Sequence, residues 1–247
     1  MAKAAPLEDR FNNPDDGRVR VSTDLALARL LQLASPTLPV GAYSYSQGLE
    51  AAVEAGLVRD TASAGRWIAD VLAYATARLE APVWWRLHAA WLANDLERVT
   101  HWNDIFRSTR ESAELRAETL QMGYSLQRLL LEIGEFDEQS LAQLRGVTEI
   151  TFPAAFAFAV VQWKIPARSA LIAYLWGWLE NQVTAALKAV PLGQTDGQRL
   201  LLTLAALLPG IADEACALGD DELCNYAPGF AILCSQHETQ YSRLFRS

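Results

Sequence analysis

Few cysteines, few histidines and a deficit of positive charge limit what this 247-residue chain can do. Cys216, Cys224 and Cys234 are odd in number and form no CxxC pair. The first twenty residues also lack the basic-then-apolar order of a signal peptide, so a reducing cytoplasm is the expected compartment. A net charge of -8 argues against nonspecific nucleic-acid or anionic-membrane binding, because both need a basic surface. The longest apolar run, Ala170 to Leu179, stops at Glu180. It is about half the ~20 residues that span a bilayer, so it is read as a buried or interfacial helix.

Reaction signatures are missing too. His88, His101 and His237 form no HExxH and no HxH. Cys234 and His237 have C-x2-H spacing, but a stable metal site takes three or four ligands. "PLGQTDGQ", 191 to 198, has two glycines yet is followed by Arg199, so it lacks the Lys and Ser or Thr of a phosphate-binding loop. A helix-to-helix turn is expected there. Glu114 and Glu118 lie one helical turn apart near Arg110 and Arg116, the pattern of a solvated helix face rather than a catalytic pair. No catalytic residue, metal ligand set or cofactor is indicated.

What is present is ordinary globular composition, 51% hydrophobic and 20% charged, in nearly continuous helical periodicity. Residues 1–20 mix Pro, Gly, Asn and Asp without period and are expected as a disordered, mobile leader. Residues 21–236 read as one all-α domain, a bundle of about ten helices, and 237–247 as a flexible C-terminal docking tail. Thr23 or Asp24, Asp60 or Thr61, and Asn94 or Asp95 are candidate caps. Pro82 is expected in a helix first turn, and a long helix is expected from about Arg168 to Val190. Eight tryptophans and seven tyrosines are mostly core, but aromatics also enrich interface centres. The residues therefore favour an interaction protein modestly over an enzyme.

Three separated stretches, in order, carry a resemblance. "LLQLASPTLPVGAYSYSQGLE", the pair "ELRAETLQMGYSLQRLL" and "PLGQTDGQRLL", and "HETQYSRLFRS" together resemble the urease accessory protein UreF family from about residue 25 onward. The resemblance implies a cytosolic all-α scaffold without chemistry of its own, homodimeric in the assembled complex. It implies partnership with UreD/UreH and with the nickel-carrying GTPase UreG, in an assembly that delivers nickel to apo-urease, and a role for this chain in regulating that GTPase. Tyr43, Tyr45, Tyr241, Arg243, Leu244, Phe245 and Arg246 are implied as UreD/UreH-binding. Arg116, Glu118, Gly193, Gln194 and Gln198 are implied at a dimer cleft that receives UreG. Two alternatives stay open. One is an all-α enzyme acting on a small molecule, with Glu118, Arg116 and Tyr45 lining a pocket. The other is a nickel carrier using Cys234 and His237.

Overall fold

Local signals start most of the helices. Asp60 accepts the Ser63 amide and Ser63 answers with its hydroxyl, a reciprocal cap that opens α3, Thr61–Val71. Asp95 caps α5, Leu96–Ser108, and Ser112 caps α6, Ala113–Glu132. The computed structural model describes residues 23–247, so the leader expected over 1–20 lies outside the described residues. The other helices are α1 (Thr23–Leu33), α2 (Leu49–Glu54), α4 (Ala81–Leu92), α7 (Glu138–Gly146), α8 (Phe152–Gln162), α9 (Ala167–Ala189), α10 (Gln194–Ala205), α11 (Leu208–Ala217) and α12 (Pro228–His237). Among the described residues there is no strand, as the absence of alternation required.

Two departures from the sequence pattern have physical causes. Pro82 stands in the first turn of α4, as expected, but α4 is not a separate helix, because a π-helical segment, Leu72–Glu80, joins it to α3 in one run. Pro82 has no N–H to offer the Arg78 carbonyl, and the Cys224 amide donates to it at 3.3 Å. The second departure is α11, a helix beyond those expected, with Pro209 in its first turn. Gln194–Ala217 has the length and apolarity to cross a membrane, but it is two helices, α10 and α11, that meet at a turn and both pack on α9.

The core forms around α8, whose "FPAAFAFAVVQ" is apolar on every face. Such a helix must be surrounded, and α8 lies against α4, α6 and α9. Trp84, Phe156, Phe158 and Leu126 are fully buried there. The approach of α6 to the chain entering α8 is close enough to need glycine: a Cβ on Gly123 would stand 2.0 Å from the Ile150 carbonyl oxygen. Asn103 on α5 secures the same connection, accepting from the Thr151 amide at 2.8 Å and donating to the Glu149 carbonyl at 3.3 Å. This frame fixes α6 and α9, the two helices that carry the site.

Candidate functional site

Between α1 and α2 the chain turns sharply. Gly41, Gln47 and Gly48 have positive φ, at 79°, 52° and 76°. At Gly48 a Cβ would also stand 2.9 Å from the Cys234 sulfur, so glycine serves both backbone conformation and close packing on α12. This irregular path leaves main-chain groups of residues 44–47 without helical partners. Buried groups of that kind need satisfaction from elsewhere. From α9, Asn181 donates to the Tyr45 carbonyl at 2.9 Å, Gln182 to the Ser46 carbonyl at 3.2 Å, and the Trp178 indole to the Gln47 side-chain oxygen at 2.7 Å.

The remaining partners come from the C-terminal segment. The Arg246 amide donates to the Ser44 carbonyl at 2.8 Å, and the Ser247 carbonyl oxygen accepts from the amides of Ser46 and Gln47 at 2.6 and 3.0 Å. The Ser46 hydroxyl donates to the same oxygen at 2.5 Å. The segment expected as a flexible tail is therefore packed on the domain in this structure. Residues about 200 apart in sequence share one hydrogen-bonded junction.

Buried carboxylates complete it. Glu50 on α2 accepts from the amides of Leu244 and Phe245 at 2.6 and 3.0 Å and meets His237 Nε2 at 3.2 Å. His237 is fully buried and its Nδ1 meets Glu114 at 2.6 Å. Glu114 in turn accepts from Arg243 at 2.5 Å, whose guanidinium also donates to the carbonyls of Glu238 and Gln240. Glu118, one turn along α6, accepts from Gln47 Nε2 at 2.6 Å and from the Ser247 hydroxyl at 2.8 Å. Burial pushes the Glu118 carboxyl up to about 7, helped by nearby Glu80, while its two hydrogen bonds and Arg110 only partly offset this. Tyr45 is raised chiefly by burial and by Glu118, with the Arg246 guanidinium acting in the opposite direction.

Glu118 and Gln47 also line a cavity of about 90 Å³ beneath the opening segment. Its polar side includes Glu80, Arg110 and Tyr174, and its apolar side includes Phe106 and Phe156. Arg110 pairs with Glu80 at 3.5 Å, and the Tyr174 hydroxyl donates to Glu80 at 2.6 Å.

The sequence profile of the UreF family matches residues 58–205. The urease accessory protein UreF of Azoarcus sp. (strain BH72) is 56% identical over 225 residues, covering 90% of this chain and 96% of its own length. The chain belongs to the UreF family. The urease accessory protein UreF of Dechloromonas aromatica (strain RCB) is 53% identical over 228 residues, covering 92% of this chain and all of its own. That of Janthinobacterium sp. (strain Marseille) is 53% identical over 222 residues, covering 90% and 98%. These UreF proteins are named as accessory proteins, and the chain is accordingly an accessory protein rather than an enzyme.

In this UreF chain the residues implied by the tail motif divide by side. Tyr45 and Phe245 are buried, the latter with the Lys188 ammonium 5.6 Å from its ring centre. Tyr241 and Leu244 face outward, while Arg246 is exposed but directs its guanidinium at Tyr45. Arg243 is mostly committed to the turn that delivers the tail. Tyr43 does not meet the tail; it donates to Glu180 at 2.7 Å, and burial with that bond raises its phenol.

The second implied group is not brought together within one chain. Arg116 is exposed on α6, whereas Glu118 is buried under the tail instead of lying on a solvated face. Gly193, Gln194 and Gln198 are exposed at the start of α10, which packs on α9 and α3. Cys234 and His237 are neighbours on α12, but both nitrogens of His237 face carboxylates. No group of three or more His, Cys, Asp and Glu side chains is placed to hold a metal ion among the described residues. Sequence reasoning missed the roles of Glu50, Ser46, Gln47 and His237. The available signal was a glutamate and a histidine inside otherwise apolar helical faces.

Proposed function

We propose that the chain is a urease maturation scaffold that joins UreD/UreH, recruits the GTPase UreG as a homodimer, and so enables GTP-dependent nickel delivery to apo-urease. Its expected place of work is the cytoplasm, and nickel is cargo of the assembly. The observation that carries this reading is the junction of tail and opening segment. A polar network fixes the tail backbone, with the Tyr241 and Leu244 side chains outward and the exposed Arg246 laid against Tyr45. Aromatic, aliphatic and arginine side chains held in one geometry suit a protein partner, because less conformational entropy is lost when they bind.

Arg116 on α6 and the exposed start of α10 are the stretches assigned to UreG across two copies of the chain, since one chain does not unite them. Co-purification with size measurement tests the reading, using homologues of UreD/UreH and of UreG with GTP. Retention of both on the wild-type chain is the expected outcome. Failure to retain either, with both partners soluble, refutes it.

A further inference from the structure

The C-terminal segment is held over a carboxyl that has no cation of its own. Glu118 makes no ion pair among the described residues; its partners are the amide of Gln47 and the hydroxyl of Ser247. The cation across the cavity, Arg110, is already paired with Glu80, which also accepts from Tyr174. Glu114, the carboxylate one turn earlier on α6, is occupied by His237 and Arg243. The other titratable neighbours are Tyr45 from the opening segment and Cys234 from α12, both neutral groups raised by burial. Arg246 lies toward Tyr45.

We propose that docking of the C-terminal segment is linked to proton uptake by Glu118, so that the segment is held more tightly at mildly acidic than at alkaline pH. The sign follows from what covers the carboxyl. With the segment docked, Ser247 closes over Glu118 and burial holds its carboxyl up near 7. With the segment released, water reaches the group and it moves back toward 4.5. The state with the higher value is favoured while the proton is bound, and loses that advantage as pH rises through the docked value.

The proton also has a place to go. A protonated Glu118 donates to the Ser247 oxygen while its carbonyl oxygen still accepts from Gln47, so both hydrogen bonds survive. If release restores the ordinary value in full, the docking constant falls about tenfold between about pH 6 and pH 8.5. His237 lies in the same junction with Glu50 and Glu114, so the test must separate the two groups.

Amide hydrogen exchange on the full chain does so. The reporters are Ser46 and Gln47, which donate to Ser247, and Leu244 and Phe245, which donate to Glu50. After correction for intrinsic exchange, the opening of these amides is expected to rise about tenfold over that pH range in the wild-type chain and to stay nearly constant in Glu118→Gln. Wild-type opening that ignores pH overturns the proposal. So does a Glu118→Gln chain that keeps the wild-type slope, which would place the dependence outside Glu118. A carbon-13 titration of the Glu118 carboxyl in the wild-type chain needs no variant, and a midpoint in the ordinary carboxylate range also overturns it. The inference concerns the tail itself and no partner, so its failure leaves the proposed scaffold role standing, and the reverse.

Discussion

Gly123→Ala separates two opposite expectations. In an exposed helix interior, replacing glycine with alanine stabilises by about 1 kcal/mol through helix propensity. At Gly123 the new Cβ would stand 2.0 Å from the Ile150 carbonyl oxygen and 2.6 Å from the Thr151 carbonyl carbon, where real contacts are not below 3.0 Å. The two backbones must separate by about 1 Å, and neither is free. The connection is pinned by Asn103 and by the Phe152 amide donating to Thr119 at 3.2 Å. Overpacking of this kind costs about 1–3 kcal/mol when side chains yield, and more against backbone. Subtracting the propensity gain leaves a net loss of about 2–4 kcal/mol, or about 5–15 °C in midpoint for a domain of this size. Thermal unfolding followed by circular dichroism reads it directly. Gly177→Ala on α9 is the control, since its Cβ meets nothing within 4 Å, and a gain of up to about 1 kcal/mol is expected there. If Gly123→Ala is as stable as the wild type, or more so, the close approach of α6 to residues 150–151 is not a constraint and the reasoning fails.

Asn103→Ala removes both anchors of the Glu149–Thr151 connection and strands a buried amide, so a loss of about 2–4 kcal/mol is expected in denaturant unfolding. Glu118→Gln should raise the unfolding midpoint at about pH 8. The ionised carboxyl is disfavoured in the fold by a shift from 4.5 to about 7, so stability falls as pH rises across that window, by at most about 3 kcal/mol. An identical pH profile in the variant refutes this. Phe245→Ala with Arg246→Ala is expected to abolish UreD/UreH capture with helical circular dichroism retained; loss of that signal would make the segment part of the fold. Tyr241→Ala with Leu244→Ala should weaken capture while Ser46 and Gln47 amides stay protected, because those side chains face outward.

Legibility followed the range of the interactions. The caps at Asp60 and Asp95 and the bounds of α9 come from residues within one or two turns, and the sequence displays these directly. The continuity of α3 into α4 was hidden because Pro82 signals a start by local rules, while the carbonyl it leaves is satisfied by Cys224, more than 140 positions away. Glu118 was misjudged for a similar reason. At three-and-four spacing with Glu114 and Arg110 it reads as solvated, and only the docking of Ser247 buries it. Tyr43, Tyr45, Tyr241, Arg243, Leu244, Phe245 and Arg246 were expected as one set through the resemblance, and the structure brings Tyr45 to the tail but not Tyr43. Their division into inward and outward side chains required the backbone register, which no single-sequence pattern supplies.

That register explains why the junction is built from polar groups. From Leu244 to Ser247 exposure alternates: Leu244 and Arg246 are exposed, Phe245 and Ser247 buried. A slip of one residue would put Leu244 or Arg246 where Phe245 lies. Apolar contact alone tolerates such a slip, since Leu244 fills part of the space of Phe245, whereas amide donors fixed at 2.6 and 3.0 Å on Glu50 do not. The Ser247 carbonyl oxygen, accepting from two amides and the Ser46 hydroxyl, fixes the other end. Polar anchoring also leaves little newly exposed apolar surface when the segment is released, because carboxylates and amides are well solvated and, of the two large apolar side chains among the last four residues, Leu244 is already exposed and only Phe245 is buried. On the proposed scaffold role, presenting one face to a partner requires that register to be fixed, and the amide-to-carboxylate bonds of Glu50 fix it where apolar contact alone would not.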